Sequence, residues 1–232
     1  MNPFSWSRRL AAVASLGDES RRRLFRFVAA AEDAVSRDDA AGSLGLARST
    51  ASFHLDRLVH DGLLAVEFRK IGGKEGPGSG RPAKLYRAAV QEVSASVPER
   101  SYDLAAELLV TAVEQSAADG GSARDALLQA ARMRGVAAGE SSGGGDFGAL
   151  LAEEGYLPAD DGAGGLVLLN CPFHRVAKGH TAVVCAMNGA FLAGAAAGCG
   201  VDPDRVEALD IEELRARDAA TPAQCCARIR PA

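Results

Sequence analysis

Aromatic residues are scarce in this chain, at 5% of its 232 residues, whereas alanine and glycine are abundant. A core filled by leucine, valine and alanine on helices is therefore expected. No run of 18 consecutive apolar residues occurs, and the first residues lack the long apolar stretch of a secretory signal. The sequence thus predicts no membrane-spanning helix and no signal peptide, and we expect a cytoplasmic protein.

Motifs of phosphate binding and hydrolysis are missing as well. The chain has no Walker-type phosphate loop, no G-x-G-x-x-G segment after a strand and no G-x-S-x-G nucleophile turn. Acidic pairs such as Asp160-Asp161 lie in a turn-like context that suits solvated charges. We therefore expect that the protein is not an enzyme.

Cysteine is absent from the first 170 residues, and all five cysteines follow. An odd, late cluster does not fit a secreted disulfide framework and favours reduced thiols or metal ligands. Charge is uneven too. The net charge is -4, yet arginine and lysine concentrate between residues 8 and 87. A basic N-terminal part beside a neutral or acidic remainder is typical of a DNA-binding domain joined to a domain that does not touch DNA.

Hydrophobic periodicity divides the chain into three regions. Helical spacing, a cap at Asp18, a cap at Ser36 and a glycine-rich hairpin predict a winged helix-turn-helix domain over residues 8–90. Two amphipathic helices predict a helical linker over residues 101–139, which we expect to pair two chains into a homodimer. Mixed helices and short strands predict a small C-terminal domain over residues 145–232. The predicted fold class is α+β.

The segment AAGSLGLARSTASFHLDRLVHDGLL, residues 40–64, has the pattern of a helix-turn-helix. Gly45 permits the tight turn between its helices, and the leucines form an inward face. The N-terminal, outward part of the second helix is the part that enters the major groove. Together with the basic residues of the wing, it supplies the candidate DNA-binding residues: Arg48, Ser49, Thr50, Ser52, Phe53, His54, Arg57, Lys74, Arg81 and Lys84.

On these residues, Leu16 to Arg87 resembles the ArsR-type winged helix-turn-helix regulators, and GSGRPAKLYRAA resembles their wing. The resemblance implies a transcription regulator, expected to be a repressor, with double-stranded DNA as its partner. It places Arg81 along the minor groove or the DNA backbone.

Cysteine and histidine recur between residues 168 and 229 at spacings that suit a metal. Cys171 and His174 follow a predicted strand in C-x-x-H spacing, and Cys185 lies on the next helix. In the last predicted strand Cys225 shares the apolar face with Ala227 and Ile229, so Cys225 is the expected ligand and Cys226 the alternative. Thiolates suit Zn²⁺ or an iron–sulfur cluster, and imidazole can serve either.

This segment resembles the C-terminal domain of the SufR-like repressors, on the pair Cys171-Pro172, on Cys185 and on Cys225. The resemblance implies an iron–sulfur cluster. Thirteen residues separate Cys171 from Cys185, and His174 offers a nitrogen ligand, so a zinc site with three cysteines and one histidine is the rival. Two further hypotheses remain: a small organic effector without metal, and a redox switch in which Cys225 forms a disulfide with Cys226 or Cys171.

Overall fold

The computed structural model describes residues 5–70, 82–209, 211–216 and 220–231. They form two compact units, residues 1–95 and 96–232. The architecture mixes helices and small antiparallel sheets, which confirms the α+β prediction.

In the first unit, helices precede a three-stranded antiparallel sheet of order β1-β3-β2. Its elements are α1 (Trp6–Ser15), α2 (Glu19–Ala29), β1 (Val35–Ser36), α3 (Arg37–Leu44), α4 (Arg48–His60), β2 (Leu64–Arg69) and β3 (Ala83–Ala88). Leu24, Leu55 and Leu58 are fully buried where α2 meets α4. The chain therefore has the helix-turn-helix followed by a hairpin that the sequence predicts.

Local signals set the helix boundaries of this unit. The Asp18 carboxylate accepts from the Arg21 backbone N–H at 2.9 Å, and the Ser36 hydroxyl accepts from Asp39 at 3.1 Å. Both satisfy N–H groups that a helix start leaves without a partner. Gly45 ends α3 at φ 66°, a left-handed conformation that a side chain disfavours, and so turns the chain into α4.

In the second unit, helices surround a four-stranded antiparallel sheet of order β4-β5-β7-β6. Its elements are α5 (Tyr102–Asp119), α6 (Ala123–Ser141), α7 (Phe147–Glu153), β4 (Pro158–Asp160), β5 (Leu166–Leu168), α8 (His174–Ala177), α9 (Thr181–Gly198), a 3-10 turn (Pro203–Arg205), β6 (Val206–Ala208), α10 (Ile211–Ala216) and β7 (Ala227–Ile229). The helices predicted as a separate linker, α5 and α6, belong to this unit and share its core.

Glycines let α6 and α9 pack with their backbones in contact. A Cβ at Gly135 would lie 2.1 Å from the Phe191 carbonyl oxygen, and one at Gly194 would lie 2.1 Å from the Arg132 carbonyl oxygen. Among the described residues, α9 is the one helix whose length and mean hydropathy of 1.5 would suffice to cross a membrane. The same composition suits the core helix that α9 is here, because Phe191, Leu192 and Ala196 are buried in the unit.

Candidate DNA interface and thiol cluster

Helix α4 presents part of its N-terminal half to solvent. The Phe53 side chain is 66% exposed, and Ser49 is exposed beside it, while Thr50 and Ser52 are half-buried. The ring of His54 packs edge-on against Phe53, and its Nδ1 lies 4.0 Å from the Asp18 carboxylate. An exposed aromatic ring on this helix offers an apolar contact to a thymine methyl group in the major groove.

Carboxylates hold the basic side chains of this face. The Arg48 Nε donates to Asp38 at 2.7 Å, and that guanidinium holds the pKa of the Asp38 carboxyl below its usual value. The Arg57 Nε donates to Asp61 at 3.0 Å. The Arg48–Asp38 pair is largely exposed, so it contributes little to stability and a phosphate can replace its carboxylate. The Asp61 side chain is buried, so its pair with Arg57 is more sheltered.

One such pair joins the recognition helix to the wing. The Lys84 ammonium on β3 lies 2.5 Å from the Asp56 carboxylate of α4, and the Tyr86 hydroxyl donates to the same oxygen at 3.0 Å. The hydrogen bond that the Lys84 ammonium donates to Asp56 raises the pKa of Lys84, which keeps it charged. Lys74 and Arg81, the other predicted wing contacts, lie outside the described residues.

The second unit brings four of the five cysteines together. The Cys171 N–H donates to the Ala223 carbonyl at 2.8 Å, and the Cys225 N–H donates to the Leu168 carbonyl at 2.9 Å. These bonds extend the pairing of β5 with β7 and place Cys171 beside Cys225, whose thiols hydrogen bond. Cys185, on the first turns of α9, hydrogen bonds with Cys226.

Hydrogen bonds among the thiols lower the pKa of two of them and raise the pKa of the other two. Cys185 and Cys225 donate to Cys226 and lower its pKa to about 3, and the Cys225 thiol lowers the pKa of Cys171. Cys185 and Cys225 donate these hydrogen bonds and would lose them on deprotonation, so their pKa values are raised. The cluster therefore favours thiolate on Cys226, the form that binds metals and attacks electrophiles.

A buried amide also faces the sulfurs. The Asn188 Nδ2 donates to Cys225 Sγ at 3.1 Å and lies 4.0 Å from Cys226 Sγ. Its orientation is fixed because the Tyr156 hydroxyl donates to Asn188 Oδ1 at 2.6 Å. Both side chains are 1% exposed. This fixed N–H donor contributes to lowering the pKa of Cys226.

A pocket of about 180 Å³ opens beside the cluster, lined by Cys171, His174, Cys185 and Cys226. Cys225 is fully buried behind it, bonded to Asn188. Partial burial and the nearby Arg215, Arg100 and Lys178 lower the pKa of His174, so its imidazole is neutral and able to bind a metal. In the part of the chain that the structure describes, no three His, Cys, Asp or Glu side chains stand in an arrangement that would hold a metal ion.

Comparison with known families bears on the first unit. A family model described as a helix-turn-helix domain matches residues 16–67. The match supports a DNA-binding transcription regulator. No curated protein and no solved structure matches the chain significantly. The matched residues contain α2 to α4 and most of β2, including the helix whose exposed face carries Ser49 and Phe53.

Several features of the regulator give no signal in its sequence. The carboxylate partners Asp38, Asp56 and Asp61 look like ordinary surface charges, and only the fold pairs them with the basic residues. Asn188 and Tyr156 look unremarkable in the sequence because 32 residues separate them. An asparagine within the apolar run of α9 was the one available hint, since buried amides need partners.

Proposed function

We propose that the chain is a homodimeric transcription repressor whose second unit binds a metal centre through cysteine thiolates and so regulates DNA binding. The pocket that Cys171, Cys185 and Cys226 line together, with Cys225 buried behind it, is the observation that supports the metal centre. Inert buried cysteines have no reason to contact one another in two pairs, nor to receive an amide donor.

The donor set fits a metal that prefers sulfur. Cys171, Cys185 and Cys226 line the pocket, and His174 adds a nitrogen there, whereas Cys225 lies behind it. Ligation requires the thiols to turn away from their present hydrogen-bonded pairs toward one point. Cys226, the alternative in the sequence analysis, is better placed than Cys225. A bound iron–sulfur cluster would supply a redox-sensitive centre, whereas Zn²⁺ would supply a redox-inert one.

An organic effector is the weaker hypothesis. Pockets for small organic ligands usually enclose about 300–1,000 Å³ and are mostly apolar. The pocket beside the thiols is smaller, at about 180 Å³, and Lys178, Glu212 and Arg215 are among its lining residues.

Metal and acid-labile sulfide analysis of protein purified without oxygen tests the proposal. Iron with sulfide, or one equivalent of zinc, is the expected result, and Cys226→Ser should lose it. Cys199→Ser is the matched control, because the Cys199 sulfur lies 3.8 Å from the Ser142 hydroxyl and does not line the pocket beside the thiols. DNA selected from a random pool is then used to compare affinity before and after chelation. Absence of metal contradicts the metal centre, and unchanged affinity after its removal contradicts regulation.

The exposed face of α5 supports the dimer. Leu109, Val110 and Val113 lie on adjacent turns and are 40%, 56% and 62% exposed. Helical regulators of this kind read two half-sites as dimers, and an apolar stripe of this kind suits a second copy. Light scattering should report a dimer for the wild type and a monomer for Val110→Glu/Val113→Glu. Thr111→Glu, exposed on the same helix, should leave the dimer intact.

A further inference from the structure

Two thiol pairs connect separate elements of the second unit. Cys185 of α9 and Cys226, which precedes β7, line one pocket and are hydrogen-bonded partners. Cys171, in the loop after β5, lies beside Cys225, because both are held by backbone bonds between these segments. Vicinal cysteines bridge poorly because their geometry is strained. Neither contact pair is vicinal, so the structure removes the main objection to a disulfide in this cluster.

The pair Cys185–Cys226 is the one that a small reagent can reach. Both residues line the pocket of about 180 Å³, and Cys185 is only half-buried. Cys225 is fully buried, which protects the other pair. A pocket of this size admits a molecule of a few atoms and excludes a protein oxidant.

Charge in the pocket favours attack by sulfur. Lys178 and Arg215 line it together with one acid, Glu212. Cys226 Sγ also accepts hydrogen bonds from the Cys185 thiol and, at 4.0 Å, from the Asn188 amide. Electropositive surroundings of this kind mark the reactive cysteines of proteins.

We propose that Cys185 and Cys226 are an oxidation site at which hydrogen peroxide produces a disulfide. The Cys226 sulfur attacks one peroxide oxygen, the O–O bond breaks and water leaves, giving a sulfenic acid. The Cys185 sulfur then attacks the sulfenic sulfur, the S–O bond breaks, a second water leaves and the S–S bond forms. Two thiols lose two electrons in all, and one peroxide is reduced to two waters.

Formation of the disulfide requires only these two thiols. A role for the disulfide in regulating DNA binding rests on the proposed function. A disulfide would tie α9 to the start of β7 and would occupy sulfurs that a metal needs. The oxidised and the metal-bound states therefore exclude each other.

Peptide mapping of the full chain tests the site. Reduced, chelator-treated protein receives one equivalent of hydrogen peroxide, free thiols are alkylated, and trypsin is added without reductant. Cleavage after lysine and arginine puts Cys185 in residues 179–205, Cys225 and Cys226 in 218–228, and Cys171 in 135–175. We expect two of the five thiols to disappear and residues 179–205 to be linked to 218–228.

Cysteine-to-serine variants identify the two sulfurs that form the disulfide. Cys185→Ser should abolish the linked peptide, whereas Cys199→Ser and Cys225→Ser should retain it. Absence of a link, or a link between residues 135–175 and 218–228 in its place, overturns the proposal. Metal content is measured on untreated protein, so a metal-free protein that makes the disulfide would contradict the proposed metal centre alone. A metalloprotein that makes no link after chelation would contradict the oxidation site alone.

Discussion

Basic side chains on the candidate DNA-binding surface are held in ion pairs, so the surface carries less positive charge than its sequence suggests. Lys84 and Arg48 are both paired with aspartates of the same unit. Positive charge along the sequence is therefore partly neutralised before DNA arrives. A DNA phosphate that contacted Lys84 or Arg48 would have to displace the paired carboxylate, so we expect the aspartates to lower DNA affinity.

Asp56→Asn tests this exchange. Loss of the carboxylate releases Lys84 and removes a negative charge from the exposed face of α4, so DNA should bind more tightly at low salt. If Lys84 gains a phosphate contact, the slope of log affinity against log salt should steepen by about 0.9. Asp125→Asn, at the start of α6 in the other unit, is the matched control and should change neither quantity. Weaker binding by a stably folded Asp56→Asn would instead mean that the carboxylate itself contacts a base.

Tyr156→Phe tests the buried polar pair beside the thiols. The change leaves Asn188 Oδ1 without its 2.6 Å donor in a fully buried place. An unsatisfied buried acceptor costs about 1–3 kcal/mol, and urea unfolding should show a loss of this size. Tyr102→Phe, which removes only a long 3.4 Å contact with the Arg175 N–H, should lose much less. Equal losses in the two variants would mean that the bond to Asn188 contributes nothing of its own.

Whole elements were predictable where their signals are local. Asp18 and Ser36 mark helix starts with their side-chain oxygens, and Gly45 marks a helix end with its left-handed backbone, so α2, α3 and α4 follow from the sequence. Pairings between distant segments were not predictable. Strand β1 consists of two residues that pair with Leu85 and Tyr86. It is too short to show the alternation of apolar and polar residues by which a strand is predicted. The last strand was expected from Cys225 but begins at Ala227, although the Cys225 N–H still donates to the Leu168 carbonyl of β5.

Helix packing in the second unit depends on which glycines face a neighbour. Gly194→Ala should destabilise the chain by about 1–3 kcal/mol, because its Cβ would lie 2.1 Å from a carbonyl oxygen of α6 and the helices would have to separate. Gly189→Ala on the same helix meets no atom within 4 Å and should be neutral or stabilising by up to about 1 kcal/mol. Thermal unfolding of the pair measures the difference. Similar behaviour of both variants would refute close packing of α6 on α9.

At the scale of the whole molecule, the thiol loop also holds the segment that leads into α5. The Arg100 guanidinium donates to the Cys171 carbonyl at 3.0 Å and to the Asn170 side chain. Asn170 in turn donates to the Glu99 carbonyl at 3.0 Å, and the Ser101 N–H donates to the Pro172 carbonyl at 3.2 Å. Residues 99–101 follow closely on the first unit in sequence. A change at Cys171 thus reaches the chain just beyond the DNA-binding unit.

Arg100→Ala tests this connection, using the wild-type chain and Arg124→Ala, an exposed arginine of α6, as controls. Removing metal or forming the disulfide should shift wild-type DNA affinity about fivefold or more, the usual range of coupling between sites. In Arg100→Ala this change in DNA affinity should disappear, so that the ratio of the two affinities approaches one. The DNA affinity of the metal-free, reduced variant should stay at the wild-type value. Fluorescence anisotropy of labelled DNA measures both, and circular dichroism verifies folding. An undiminished shift in the folded variant would mean that the signal leaves the thiol cluster by a route other than the bond between Arg100 and Cys171.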